Sequence, residues 1–317
     1  MLTELESSLS ILTIGTVAFD TIETPFDQAT MILGGSATYS AIAARYLADD
    51  VRLSAVIGGD FPDKYIALLE DRGIDVTGLE VIEDGKTFFW SGRYHYDLNN
   101  RDTLATHLNV LAGFNPELPP SYRDSDVVCL GNLDPLVQLR VLEQVEDPDL
   151  VICDTMNYWI EKAPESLKIV LQQVDVLIVN DEEARQLADD PNLVRAVSKI
   201  RAMGPATIVV KKGEHGAMLF HEQSIFWAPA LPLDNIVDPT GAGDVFMGGF
   251  AGHLARAGRF EVDDFKRAVV TGSVMASFVV EEFGLENILA LTPEQIDGRF
   301  EVFKALSAVP VAVSEPA

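Results

Sequence analysis

The chain has 317 residues, 48% of them apolar, and carries 49 acidic against 23 basic side chains, a net charge of −26. That length fits one large α/β domain or two smaller ones, and the apolar content is enough for a sizeable core. The charge argues against a nucleic-acid partner, and the lack of both a long apolar run and a charged, apolar leader argues against a membrane-spanning or secreted chain, so the sequence reads as cytoplasmic.

In chain order, "SILTIGT" (10–16) reads as a strand. Residues 17–33 are too short and too β-like for a crossover helix. "GGSATYSAIAARYLA" (34–48) is a helix of small residues, "VRLSAVIG" (51–58) a strand, and "FPDKYIALLEDRG" (61–73) a helix with a glycine stop. "TFFWSGRYHYDL" (87–98) is a long aromatic strand with polar residues interleaved. Together with 17–33 it predicts a small sheet projecting from the edge of a larger one. "DVVCLGN" (126–132), "LVICDT" (150–155), "DVLIVN" (175–180) and "TIVVKK" (207–212) are near-continuous apolar strands, as expected where both faces of a sheet are covered. Helices near 135–146, 181–190 and 192–203 connect them. After residue 240 the chain turns helical over 240–258, 263–282 and 293–306, and the tail "VPVAVSEPA" looks frayed. This alternation predicts βαβ units around a mainly parallel sheet, with no internal repeat and no linker between equal halves.

Two compositional details carry expectations of their own. Cys129 and Cys153 each sit near the end of an apolar run, which suits two reduced thiols on neighbouring strands, with one disulfide as the alternative. Only nine residues are lysine, and aspartate outnumbers glutamate. The acid is spread along the chain, so it forms a solvated surface; it fits a protein working in concentrated salt or an ordinary acidic one.

In an open parallel sheet, ligands bind beyond the carboxyl ends of the strands. The polar residues just after the apolar runs are therefore the candidates: Asp20, Asn132, Asp154, Asn157, Asn180, Glu183 and Lys212, with Gly213, Gly216 and Asp244. The stretch "IVDPTGAGDVFMGG" (236–249) has the clearest chemistry. Gly241, Ala242 and Gly243 lack bulky side chains, so their N–H groups can approach an anion closely at the start of a helix. Asp244 then stands beside that anion, where a carboxylate can accept a proton from an attacking hydroxyl. The plainer alternative is a helix cap. A G-x-x-x-x-G-K-[ST] loop is missing, Phe246 breaks the G-x-G-x-x-G pattern, and no His/Cys cluster has zinc spacing.

With these residues in view, the chain resembles the ribokinase-like (PfkB) family of carbohydrate and nucleoside kinases over nearly its whole length. "DPTGAGDVFMGGF" is similar to the family's C-terminal signature, "GGSATYSA" (34–41) more loosely to its first, "NDEEA" (180–184) to its N-x-x-E motif, and "KKGEHGA" (211–217) to its nucleotide loop. The resemblance implies a single ribokinase-like three-layer α/β/α domain over 1–317, with a central, mainly parallel sheet and a small β lid from about 17–33 and 87–110. It implies Asp244 as general base and the Gly241, Ala242 and Gly243 backbone as anion hole. Asn180 and Glu183 would organise Mg²⁺ through water. Asn180, Lys212, Gly213, Gly216, Thr240 and Ser273 would line ATP. Asp20, Gly34, Gly35 and Ser36 would hold the acceptor, joined by Arg93 from the lid and by Asn132 and Asn157 at strand tips. Asp238, Thr240, Glu282 and Gly284 fall where some members bind a monovalent cation such as K⁺. Structural alternatives stand beside several of these: a turn cap for Asp20, a plain helix start for Gly34-Gly35, a capping box for Asn180 and Glu183, ordinary lid surface for Arg93, and support of the Pro239 turn for Asp238.

The chain departs from ribokinases proper at Ala18 and at Ser36-Ala37-Thr38-Tyr39, which removes ribose-binding groups. The expectation is an ATP-dependent kinase acting on a hydroxyl of a sugar or related polyol. The alternatives are a nucleoside kinase and a catalytically silent sugar or nucleotide sensor. Lid strands in this family often pair, which raises the prospect of a homodimer.

Overall fold

The near-continuous apolar runs become the strands of a sheet covered on both faces. The computed structural model describes residues 8–308, and the tail expected to fray lies outside the described residues. The strands are β1 (Ile11–Ile14), β2 (Ala18–Glu23), β3 (Gln28–Gly34), β4 (Val51–Gly58), β5 (Ile74–Ile82), β6 (Phe88–Tyr94), β7 (Arg101–His107), β8 (Val127–Leu130), β9 (Leu150–Asp154), β10 (Val176–Asn180), β11 (Thr207–Lys211), β12 (Ala217–His221) and β13 (Ser224–Ala228). Nine of them form the main sheet in the order β13-β12-β11-β10-β9-β8-β1-β4-β5. It is parallel from β5 to β11, and β12 pairs antiparallel with both neighbours. The other four form the lid sheet, β3-β2-β6-β7, parallel only between β2 and β6.

Side chains alternate across the main sheet and divide the core into two layers. Ile11, Leu53, Cys129, Ile152, Ile178 and Val209 face one way, against the helices Ser36–Arg45, Ala242–Ala257 and Val262–Val279. Leu12, Val128, Cys153, Leu177 and Val210 face the other, against the helices Pro135–Leu142, Pro164–Leu171, Asp181–Ala188 and Leu193–Arg201. The two cysteines are thus on adjacent strands but in opposite layers, and both are free, as the sequence reading had them. Burial pushes both thiols up.

The small residues of the first helix have a packing reason. Gly248 lies against Ser40 and Ala43, and Gly252 against Ala44 and Leu47, so the helices Ser36–Arg45 and Ala242–Ala257 approach backbone to backbone. Both helices start at the same edge of the sheet. No described helix is long and apolar enough to cross a membrane.

Candidate active site

Strand order reverses at β1, which lies between β4 and β8, so a crevice opens beyond Ile14 and Leu130. The chain leaves the main sheet there, makes β2 and β3, and returns at Gly34-Gly35. Gly35 sits at φ 100°, where any side chain would strike the Thr16 carbonyl. A side chain at Gly34 would collide with the Asp20 carboxylate. Ser36 Oγ accepts from the Thr16 N–H at 3.0 Å, and Thr16 Oγ1 accepts from the Ser36 N–H at 2.9 Å. The glycine pair is therefore what lets Asp20 lie against the start of the helix, while Ser36 is spent on tying that helix to β1.

The helix Ala242–Ala257 begins at the same crevice. Its cap, Gly241, has φ 77°, and a Cβ there would stand 2.6 Å from the Tyr39 ring. The Ala242 N–H goes to the Pro239 carbonyl and the Val245 N–H to Gly241. Among the described residues, the N–H groups of Gly243 and Asp244 have no backbone acceptor, which is the donor pair an anion cradle requires.

Acidic groups crowd around this cradle. Asp20 is 5% exposed; burial, with the charges of Asp238 and Asp244, pushes its carboxyl up to about 8. Burial and Asp154 push Asp244 up to about 7, against the pull of Lys211 and Arg101. Asp238 is fully buried. Its Oδ1 accepts from the Thr240 N–H at 2.9 Å, and its Oδ2 has no partner. The Tyr39 hydroxyl is also buried and unpartnered, and its proton is held tightly by burial and by Asp20, Asp238 and Asp244.

The lid closes the crevice from above. Asp20 lies beside Trp90 in the β2–β6 register, so both project from the inner face. Tyr94, two positions on twice over, shares that face and accepts a hydrogen bond from Thr240 Oγ1 at 3.1 Å. Arg101 pairs with Tyr94 across β6–β7, and its guanidinium lies 6.0 Å from the Trp90 ring. The tip between β6 and β7 reaches the Gly213–Gly216 loop: Asn99 Oδ1 is 2.8 Å from the point where a Cβ on Gly213 would stand.

The remaining candidates divide. Asn180 and Glu183 form a capping box, with 2.8 Å bonds in both directions, so the structural alternative for them is realised. Burial still pushes Glu183 up to about 7, with Lys211 opposing, which puts its carboxylate beside the site's lysine. Gly213 and Gly216 make a tight loop, in which Lys212 N–H bonds to the Gly216 carbonyl at 2.8 Å and Trp227 Nε1 to the His215 carbonyl at 3.0 Å. Lys212 itself turns to Asp181 at 3.2 Å, and the lysine aimed at the cradle is its neighbour Lys211. Arg93 departs from expectation more sharply. It lies on the outer face of β6 and bonds Glu23 at 2.7 Å, because strand alternation puts it opposite to Tyr94. Asn132 is taken up by Met156 and the Trp159 indole, and Asn157 accepts from the Tyr158 N–H at an exposed helix start. Ser273 bonds to the Val269 carbonyl of its own helix. Gly284 lies near Asp238, whereas Glu282 is exposed.

The raised carboxyls have a thermodynamic consequence. From about pH 4 to about pH 8 the folded chain binds more protons at Asp20, Asp244 and Glu183 than the unfolded chain does. Stability therefore falls as pH rises through that window. The Tm without ligands should drop from about pH 5 to about pH 8, and Asp20→Asn should flatten the slope. A variant slope equal to the wild type's would mean that Asp20 does not titrate there.

The sequence profile of pfkB family carbohydrate kinases matches residues 9–291. A cytidine kinase from Thermococcus kodakarensis is 28% identical over 252 residues, 78% of this chain and 89% of that one. The crystal structure of the Methanocaldococcus jannaschii nucleoside kinase, an archaeal member of the ribokinase family, is similar with a TM-score of 0.75 at 20% identity, over 94% of this chain and 100% of the other. The Burkholderia thailandensis nucleoside kinase in complex with ADP-inosine gives 0.76 at 22% identity, over 93% and 96%. The shared architecture is the ribokinase fold, a mainly parallel sheet between helical layers with a β lid. Since the family profile takes in every strand of both sheets, the chain belongs to the pfkB family of carbohydrate kinases, ATP-binding phosphotransferases whose acceptor is an alcohol group.

Proposed function

We propose that this kinase phosphorylates a hydroxyl of a nucleoside, with Asp244 as general base. The sequence alone put a free sugar first and a nucleoside second. The relatives reverse that order, since the cytidine and nucleoside kinases above are named for nucleosides. The observation that carries the reading on this chain is Trp90, an indole on the inner face of the lid in register with Asp20. Gly92 leaves room for the ring to lie flat along the strand. An aromatic platform of that size gives a nucleobase a face to stack on.

In this reading Asp20 holds sugar hydroxyls at the root of the lid. Asp244 takes the proton of the attacking hydroxyl, and the N–H groups of Gly243 and Asp244 hold the transferring phosphoryl oxygens. The Gly213–Gly216 loop carries the nucleotide. Among the described residues no group of three His, Cys, Asp or Glu is placed to hold a metal ion. Asn180 Oδ1 is committed to its cap, so Mg²⁺ would arrive with ATP and meet Glu183 through water, as a well-hydrated ion does. When bound it would neutralise phosphate charge. The orphaned, buried Asp238 Oδ2 suits a monovalent cation beneath the cradle, with Thr240 and Gly284 beside it.

The test is ADP release across a panel of nucleosides and free sugars. A nucleoside should exceed ribose in kcat/KM by at least ~10-fold, and Trp90→Ala should raise the nucleoside KM by about 10-fold, the scale of one lost base stack. ATP KM should hold, and Arg93→Ala should change neither KM. Ribose turned over as well as any nucleoside would sink the reading. Ligand-induced stabilisation with no ADP release from any acceptor would favour a sensor.

A further inference from the structure

One cation in the crevice is not used by that reading. Lys211 ends β11, and its side chain is 20% exposed. Its Nζ lies 3.0 Å from Asp154 Oδ2 and 2.8 Å from the point where a Cβ on Gly243 would stand. The last residue of the cradle is thus bare on the side where an ammonium stands. Asp154, 7% exposed, takes one of the three ammonium protons. Among the described residues the other two have no protein acceptor, although Asp244 and Glu183 are near enough, with Asp154, to keep the group charged despite its burial. A half-buried cation with two donors that no protein group takes therefore stands beside Gly243, whose N–H and that of Asp244 are free. Donors held in place before any ligand arrives are what stabilises charge in a transition state.

We propose that Lys211 is a catalytic residue that donates to a non-bridging oxygen of the γ-phosphoryl group during transfer, and that Asp154 is its positioning residue. The inference rests on the phosphotransferase assignment and on the cradle of the Gly243 and Asp244 N–H groups, and is independent of which alcohol is the acceptor. In the step, the acceptor oxygen bonds to the γ-phosphorus as the bond from that phosphorus to the β,γ-bridging oxygen breaks. The hydroxyl proton passes to Asp244, the bridging electron pair leaves with ADP, and Lys211 keeps its protons. The charge balance explains the need for it. Asp154, Glu183 and Asp244 all lie near the path of an anionic phosphoryl group, and without a cation they would repel it.

The rival role is structural, with Lys211 present only to neutralise buried Asp154. Breaking a buried pair by removing one partner destabilises by leaving an unpaired charge, whereas removing both is nearly neutral. Lys211→Met and the double variant Lys211→Met/Asp154→Asn separate the two. Under the proposal, Lys211→Met lowers kcat roughly 10²–10³-fold, the scale of one lost oxyanion donor. The acceptor KM should move by less than about threefold, as for an interaction made in the transition state. The double variant should regain the wild-type Tm without regaining kcat, even if Lys211→Met alone folds poorly. Asp154→Asn alone should lower kcat by about 10-fold with both KM values unmoved, the pattern of a misplaced donor. Recovery of kcat by the double variant to within about threefold of wild type, or near-normal kcat in Lys211→Met, would overturn the assignment. Asp244→Asn in the same assay keeps the two readings apart. Full turnover there, with Lys211→Met inactive, would remove the base and leave Lys211 standing.

Discussion

Asp244→Asn is expected to cut phosphoryl transfer by roughly 10²–10⁴-fold, the usual range for a lost general base. The change keeps size and shape but removes the ability to take up a proton. Nucleotide affinity should survive, because the cradle donors are the backbone N–H groups of Gly243 and Asp244. Removing a negative charge next to the phosphates should tighten ATP slightly if it does anything. A helix-capping role predicts the opposite pair of results. Asn caps about as well as Asp, so stability and turnover would both stay near wild type. Single-turnover phosphoryl transfer and nucleotide affinity, measured on one variant, decide it. Near-normal transfer would sink the mechanism.

The second large effect is on pH dependence. Asp244 must be ionised to accept a proton, and burial with Asp154 holds its carboxyl up at about 7. The acceptor kcat/KM should therefore fall on the acid side of neutrality. At pH 5 only about 1% of the base form remains, so the loss approaches 100-fold. Lys211 and Arg101 oppose the shift, and Asp20 and Tyr39 share the same crevice, so the limb belongs to a coupled cluster. Its direction can still be checked. Asp154→Asn removes the charge that raises Asp244 most, and should move the acid limb to lower pH. A wild-type profile flat down to pH 5, at saturating ATP, would show that no group with a raised carboxyl pKa is acting as base.

Much of the fold was legible for a simple reason. β1, β4 and β8 to β11 are buried on both faces, so their sequences are unbroken apolar runs with polar residues at their tips. β5 escaped because it is an edge strand and mostly solvent-facing, and its run "IDVTGLEVI" has no continuous apolar signal. The β12–β13 hairpin escaped because β13 alternates between exposed and covered positions beside an acidic turn. The helices Asn157–Lys162 and Pro164–Leu171 are short and abut at Ala163-Pro164, so neither showed a period of its own.

The site was legible at its glycines and at Asp244, where only one residue type serves. Choices between neighbours were harder. Lys212 was the nominated lysine, yet Lys211 shares its strand parity with Val209, which faces the helix that begins at the cradle. That parity was in the sequence and would have selected it. Arg93 failed for the same reason, since it alternates with Tyr94. Asn180 and Glu183 show the reverse difficulty: a capping box and a ligand-facing pair are written with the same letters, and here the box is present.

The lid is rooted at one end only. Phe19 packs against Phe61 at 5.6 Å and Tyr65 at 6.5 Å between ring centres, and Leu33 joins the same core layer, so the base of β2 and β3 is part of the main body. Asp20 follows Phe19 directly. The far end meets the body at small polar contacts, Tyr94 on Thr240 and Asn99 beside Gly213. Bending such a piece leaves the root in place and lifts the tip. If Asp20 is the acceptor's carboxylate, as proposed, it keeps its place whether the tip is up or down. That arrangement predicts an order of binding: the alcohol enters a site already built, and ATP is covered when the tip comes down.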